Sequence, residues 1–494
     1  MLLRGAVKLR LIRGNESGPR AAERDVRDVL RLRCPALVEQ GRFALGGRVP
    51  SLVPSRRERL VPSPDPTQRF VVASVLAKPE EVWRLGDCTD DSFAFISDPS
   101  IHPADVWTPF APGGGLFGNF QQALRSVGAP PVPVSGTGEG VNVVILDYGI
   151  SRDWLRRTSG QQELRGWSRY PCSPFFTNSP DTSEVKPGDG PPPGLEHGHM
   201  IARLILSIAP SVRIWDAPLL PDTVLGPPGV TTAESMFERV LRDIVSQRKR
   251  VSAEGENDFP LPRGPWILVN AWGVFDPFHY DPHNDDPAKA YWNNPENGLV
   301  QVMGLLSDAN IDVVFAAGNC GVPGAHPLCA ETATGPGVSI IGANAHPDVL
   351  TVGAVRVDGV PIGSSAQGPG ALATRWPDGH SRSAQGDRRR AYEKPDVCAP
   401  SHFRDAADEA FFYSGTSAAC GVAAGLLAAL RSDEVRAGLW VAGRPVEGDQ
   451  RPRTPAELRT ILRDTACRAD GQGWDSRLGW GIASLTAARR ALRS

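Results

Sequence analysis

Four residues of this chain are of types that together could break an acyl bond: Asp147, His197, Asn319 and Ser417. Ser417 stands in FFYSGTSAACGVAAGLLAAL, residues 411–430, where a small polar turn opens an apolar run of small residues. A serine hydroxyl is a weak nucleophile until a base takes its proton. The SGTS turn places Ser417 at a helix start, where free N–H groups and the positive end of the helix dipole favour developing negative charge. The plainer reading is a serine that caps the helix, worth about 1 kcal/mol. The segment alone leaves both readings open.

A base, an orienting group and an oxyanion donor would complete the chemistry. His197 in GLEHGHMIARLILSI opens a helical pattern and is followed by Gly198, which lets a neighbouring chain approach the ring. His199 competes for the same role. Asp147 ends the apolar run VVIL and precedes Gly149. A carboxylate there can fix an imidazole tautomer and stabilise its charged form; a cap or ion-pair partner is the plain alternative. Asn319 ends FAAGN, where its amide could donate to an oxyanion or simply form a turn before Cys320 and Gly321.

The elements around these residues suit such a site. VNVVILDYGI (141–150), SVRIWDAPLL (211–220), WILVNAWG (266–273), IDVVFAAGN (311–319) and VLTVGAV (349–355) predict strands. HMIARLILSIA (199–209), TAESMFERVLRDIVSQRK (232–249), NGLVQVMGLLSDAN (297–310) and SAACGVAAGLLAALRS (417–432) predict helices. Apolar strands alternating with helices imply an α/β fold, a doubly wound and mostly parallel sheet covered on both faces. Ligand sites of such sheets lie beyond the carboxyl ends of the strands, which is where Asp147, Asn270 and Asn319 fall.

Residues 1–99 read as a separate small α+β domain: strands at 6–14, 69–77 and 93–99, helices at 21–32 and 78–88, and a weak strand near 41–53. The order is compatible with a ferredoxin-like, split βαβ unit. Residues 100–135, rich in Pro and Gly, read as a linker to the domain of residues 136–494.

Composition narrows the classes. The 494 residues carry a net charge of −2, with no overall field for nucleic acid or a membrane, so neither is expected as a partner. Residues 1–60 hold 14 Lys+Arg against 6 Asp+Glu, a basic patch that suits a solvated face or docking on the acidic remainder. Arg4, Lys8, Arg10 and Arg13 interrupt the apolar start, so no signal peptide is expected and a cytoplasmic location is favoured. Eight cysteines without CxxC or zinc spacing predict free thiols. Cys320 and Cys329 are near enough in sequence to pair or to share a metal. The Gly run at 136–140 precedes a strand rather than following one, so nucleotide binding is discounted.

Taken in order, VVILDYGI, HGHMIARLI, VFAAGN and YSGTSAACGVAAGLLAAL resemble the Asp, His, Asn and Ser blocks of the subtilisin-like serine peptidases, the subtilases. Their Asp…His…Ser order is the subtilisin order. TGEGVNVVILDYGI (137–150), LTVGAV (350–355), SSAQGPG (364–370), KPDVCAPS (394–401) and LGWGIASLTAARRAL (478–492) are similar to further segments of that family. The resemblance covers about residues 135–494. An SGTS-like block also occurs in sedolisin-type acid peptidases, but the His197–Gly198 pair and the Asp-ended first strand favour the subtilisin arrangement.

The resemblance implies a serine endopeptidase acting on protein or peptide through an acyl-enzyme. Ser417 would be the nucleophile, His197 the base, Asp147 its orienting group, and Asn319 with the Ser417 N–H the oxyanion hole. Ala271, Trp272 and Gly273 would pair with an extended substrate, and Ala316, Ala317 and Gly318 would form the other wall around P1. No cofactor is required. Many subtilases bind calcium, and the Asp- and Asn-rich stretch 275–298 is the candidate loop, although a solvated rim suits it better. Residues 171–194, 221–230, 251–265, 276–296 and 370–392 read as surface insertions.

This chain departs from the family at Tyr148, where Ser or Thr is usual, and at His199, Met200 and Arg203, where Thr, His and Gly are. Gly421 stands where Pro is usual. Trp272 could cap an apolar subsite or pack in the core. An N-terminal ferredoxin-like unit in this family assists folding and plugs the cleft, so residues 1–99 are expected to dock on the larger domain. The class set against a peptidase is a non-catalytic module that holds an extended peptide uncut.

Overall fold

In the computed structural model the chain opens on four antiparallel strands: β1 (Leu3–Arg10), β2 (Phe43–Pro50), β3 (Arg69–Ala77) and β4 (Phe93–Ser97). Their spatial order is β2-β3-β1-β4, the order a split βαβ unit requires when its crossovers lie on one face. The stretch near 41–53, weak as a strand in the sequence, supplies β2. The expected helix at 78–88 and most of that at 21–32 lie outside the described residues. From residue 117 onward these are 117–168, 185–191, 195–220, 230–254, 261–275, 292, 297–373, 389–405, 412–441, 444–448, 450–468 and 473–493; before it they are confined to residues 3–10, 30–31, 35–40, 43–50, 52–54, 60–62, 69–77, 93–97 and 102–103.

A two-residue strand, β5 (His102–Pro103), follows. The expected linker is not uniformly irregular. Helix α1 (Phe120–Ser126) begins in a reciprocal capping box between Asn119 and Gln122, and Ala123, Leu124, Val127 and Ala129 are buried in the main core. These apolar residues in the middle of a Pro/Gly-rich stretch anchor it to that core.

The main sheet has seven parallel strands: β6 (Asn142–Asp147), β7 (Arg165–Gly166), β8 (Arg213–Pro218), β9 (Trp266–Asn270), β11 (Ile311–Ala316), β12 (Leu350–Val355) and β13 (Val397–Pro400). Between β9 and β11 the chain forms the short strand β10 (Trp272–Gly273). The sheet order is β13-β12-β11-β9-β6-β8-β7. The chain starts at β6, winds out to one edge, and returns to build the other side from β9. The winding reverses between β6 and β9, so the crevice expected of a doubly wound sheet opens there.

Every residue of β6, β9, β11 and β12 is buried, the pattern of strands covered on both faces. Along β6 the side chains alternate: Val143 and Ile145 join one core, Val144 and Leu146 the other. The second core packs under α4 (Val230–Glu254) and α5 (Gly298–Asp308). The first holds α3 (His197–Ile208) and α6 (Gly415–Arg436).

Helix α6 is buried from Gly415 through Ser432 and apolar on all sides from Ala418 to Leu430, as a helix without a solvent face should be. Its small residues let α3 lie close. A Cβ on Gly421 would sit 3.0 Å from Leu204 Cδ1 and 3.2 Å from Leu204 Cβ, so a larger residue here would crowd the contact between the two helices. Among the described residues no helix is long and apolar enough to cross a membrane.

Candidate active site

Asp147 is the last residue of β6 and His197 the first of α3. His197 Nδ1 lies 2.9 and 2.8 Å from the two carboxylate oxygens of Asp147, with both residues buried. A carboxylate only accepts, so the ring proton on that edge sits on Nδ1, and in the neutral ring Nε2 carries the lone pair. Asp147 Oδ1 also accepts the Tyr148 N–H at 2.8 Å. Gly198 makes the approach possible. A Cβ there would stand 2.7 Å from Gly149 O and 3.5 Å from Asp147 Cβ.

Ser417 is the third residue of α6, whose N-cap is Ser414. The capping reading of Ser417 is thereby excluded, since its side chain lies inside the first turn. Its Oγ donates to Ala271 O at 2.9 Å, which brings the hydroxyl to the carboxyl end of β9 beside the crevice. Its own N–H is among the first-turn amides that a helix leaves without an intrahelical acceptor.

Asn319 follows the end of β11 by three residues. Its Oδ1 accepts from Thr416 N at 3.1 Å and from Thr416 Oγ1 at 3.0 Å. Thr416 Oγ1 in turn accepts the Gly318 N–H at 3.1 Å. These bonds fix the carboxamide so that Nδ2 faces away from Thr416, and Nδ2 is buried with no hydrogen-bond partner. An orphaned buried donor of this kind costs about 1–3 kcal/mol, which calls for an explanation.

The two stretches expected as walls, Ala271, Trp272 and Gly273 and Ala316, Ala317 and Gly318, are all buried. Asn344, not singled out in the sequence, ties them together: its Nδ2 donates to Trp272 O at 3.1 Å and to Ala316 O at 2.8 Å. Its signal was faint, one amide within the small-residue stretch IIGANA. Thr416, within the noticed SGTS, proves to be the residue that orients Asn319.

The Trp272 side chain belongs to the core. Its indole is fully buried and packs edge-on against Phe315, ring centroids 5.1 Å apart, with Phe237 at 6.4 Å. The core reading of this side chain holds and the subsite cap does not. On its backbone side, β10 pairs antiparallel with β5: Trp272 opposite Pro103 and Gly273 opposite His102.

The departures around His197 have local partners. Tyr148 sets its ring edge-on to the His197 imidazole at 6.4 Å. Arg203 Nη1 donates to Asp405 at 3.0 Å, and the Tyr413 hydroxyl donates to the same carboxylate. Met200 packs in the main core.

The free-thiol expectation fails at one place. Cys320 and Cys329 form a disulfide. The chain turns back on itself here, with His326 N–H donating to Asn319 O at 2.9 Å, and the two Cα atoms come within 5.7 Å, a bridgeable span. Spacing of nine residues could not disclose that turn. The bridge also removes the thiol-based argument for a reducing compartment. Cys398, Cys420 and Cys467 are free. The calcium loop falls mostly outside the described residues, and among the described ones no group of three or more His, Cys, Asp or Glu is placed to hold a metal.

The sequence profile of the subtilase family matches residues 138–481. No curated protein matches the chain in sequence. Among solved structures the chain is similar in fold to fervidolysin from Fervidobacterium pennivorans, a keratinolytic enzyme related to subtilisin. The TM-score is 0.51 at 14% identity, over 99% of this chain and 61% of that one, so this chain spans about three fifths of fervidolysin's length. The patellamide maturation protease PatA matches over 72% of this chain and 97% of its own, at 19% identity and a TM-score of 0.41. A lanthipeptide protease matches over 71% and 87%, at 16% identity and a TM-score of 0.39.

Proposed function

The chain belongs to the subtilase family of serine-type peptidases, and from that premise we propose that Asp147, His197 and Ser417 are its catalytic triad, with Asn319 and the Ser417 N–H as its oxyanion hole. The substrates of such an enzyme are proteins or peptides. His197 Nε2 takes the hydroxyl proton as Ser417 Oγ attacks the scissile carbonyl. Asp147 holds Nδ1–H and stabilises the imidazolium without itself being protonated. The carbonyl oxygen, now anionic, receives hydrogen bonds from Asn319 Nδ2 and the Ser417 N–H. His197 then protonates the leaving amine, and water repeats the sequence to release the acyl group.

The observation that carries this reading is the orphaned Nδ2 of Asn319. Buried carboxamides are as a rule hydrogen-bonded at both ends. This one has its acceptor end locked by Thr416 and its donor end buried without a partner. The donor gains its acceptor only when charge develops on a substrate oxygen, which is where stabilisation accelerates a reaction rather than merely binding the substrate.

The N-terminal unit is the proposed regulator of this cleft. Strand addition supplies affinity through backbone bonds, and β5, in the stretch that joins the unit to the larger domain, pairs with β10, the strand proposed to receive an extended substrate. That pairing favours selective processing of a particular partner over bulk digestion. It is also the one observation that supports a second reading, a module that keeps its own N-terminal segment in the cleft without cutting.

Fluorophosphonate labelling of the purified protein, read by intact mass, tests both. Wild type should gain one adduct, while Ser417→Ala and His197→Ala gain none. Loss of the nucleophile should lower turnover about a millionfold, as it does when such a triad acts as a unit. If folded wild type takes no label, the assay is repeated without residues 1–110. Labelling then identifies a blocked cleft, and continued silence refutes the triad.

A further inference from the structure

Helix α3 meets the chain that leaves β6 at three points, and the triad accounts for only one. The first is the Asp147–His197 contact. The second is Gly198 pressed against Gly149. At the third, His199 Nε2 accepts the Ser151 N–H at 2.9 Å. The His199 ring also stacks on Trp154, centroids 4.4 Å apart and planes 11° apart. Ser151 is the N-cap of α2 (Arg152–Ser159), and its Oγ accepts from Trp154 N. His199 therefore grips both the backbone and the first-turn side chain of the element that follows Asp147.

We propose that His199 is a positioning residue: a neutral imidazole that clamps the Asp147–Ser151 segment to the helix carrying His197, and so holds the Asp147 carboxylate in register with the His197 ring. The proposal rests on the triad reading above and adds to it.

The clamp works only in one protonation state. Nε2 accepts a hydrogen bond while it is unprotonated, so the ring proton must be on Nδ1. Burial pushes the His199 pKa down to about 4, and this outweighs the upward pull of Glu196 and Asp147; Arg203 and Arg157 push it further down. The ring stays neutral wherever a histidine base could work. The rest of the segment is fixed as well: the Tyr148 N–H by Asp147, and the Ile150 N–H by the buried Asp216 Oδ2 at 3.2 Å, which also takes the Gly188 N–H at 2.9 Å. His199 is the member of this set that comes from the helix bearing the base. Losing it frees the two catalytic segments to slide against each other, and misplacement of about 1 Å can cost about 100-fold.

The test compares His199→Leu, which removes the acceptor, with His199→Gln, whose carboxamide oxygen can still accept the Ser151 N–H. The readout is the pH profile of fluorophosphonate labelling at Ser417 in the full chain. His199→Leu should label about 10–100-fold more slowly, with its acid limb moved to lower pH because the imidazolium has lost a well-held carboxylate. His199→Gln should recover most of the rate. Wild-type rates and profiles in both variants would overturn the proposal. So would an equal slowing of both with an unmoved acid limb, which would assign the effect to packing on Trp154. Nitrogen NMR of wild type decides the matter even where a variant fails to fold: His199 should carry its proton on Nδ1 and not titrate down to pH 5, and a ring that titrates near an ordinary histidine value of about 6.5 defeats the clamp. Absence of labelling both in wild type and without residues 1–110 speaks against the triad, while the NMR result still settles His199.

Discussion

At one end α6 buries Arg431, and at the other it buries Thr416 and Ser417. Arg431 Nε and Nη2 donate to the Asp312 carboxylate at 2.6 and 2.9 Å; Nη1 donates to Glu434 at 2.8 Å and to Arg453 O at 2.6 Å. Burial opposes the charge, yet Asp312 and Glu434 hold the guanidinium pKa above its usual value. Around Ser417 the same helix leaves Asn319 Nδ2 without an acceptor. Both ends are equally dry, so access to water does not explain the contrast. Here the cation that ties the far end of α6 to the fold is fully paired, and the proposed oxyanion donor keeps a position open for an atom that arrives later.

Arg431→Met tests the first half of that contrast. Removing one partner of a buried ion cluster leaves Asp312 and Glu434 uncompensated and should cost about 3–5 kcal/mol in urea unfolding. The labelling rate of the molecules that remain folded should not change. A large rate loss would mean that the two ends of α6 are coupled. Asn319→Ala tests the other half. It should lower turnover about 100–1,000-fold, equivalent to about 2.7–4 kcal/mol, with the Michaelis constant little altered. A rise in the Michaelis constant alone would show that Asn319 binds ground-state substrate.

The loop between Cys320 and Cys329 separates the two behaviours within one residue's reach, because Asn319 precedes its first cysteine. Replacing both cysteines with Ala should cost about 2–3 kcal/mol, the value for closing a loop of this size. If turnover falls far more than stability, the bridge also positions the oxyanion donor. The Asp216 effect is read through pH. Burial pushes its pKa up to about 7, against the Gly188 and Ile150 amides that lower it, from an ordinary value of about 3.9. Between those values the folded state holds a proton that the unfolded chain has released. Stability should therefore fall as pH rises from about 4 to about 7, by at most about 1.4 kcal/mol per pH unit. Asp216→Asn should flatten that slope, and equal slopes in both proteins would refute the assignment.

Much of the site was legible because its residues occupy ends of elements. A strand written VVIL and a helix written HMIARLIL declare themselves by period, and the residue at the junction stands out. Asp147, His197 and Ser417 are such residues, and the structure joins the first two directly and sets the third at Ala271. Other features carry no local pattern. β7 and β13 are short strands made at the sheet edges by pairing, and α2 is a polar surface helix of eight residues. The expected linker kept its composition and still yielded α1. The Cys320–Cys329 bridge depended on a turn, and the fate of the Trp272 side chain on which face of β10 met Phe315.

The sequence by itself determined the parallel α/β frame, the order of its blocks and the chemical type of each candidate residue, since these follow from period and from side-chain chemistry. Only the tertiary structure decided which of two adjacent histidines meets Asp147 and which is neutralised against Ser151 and Trp154. It likewise decided which end of the Asn319 carboxamide is left open. Those outcomes depend on which atoms come within about 3 Å across elements tens to hundreds of residues apart, and no local pattern records that distance.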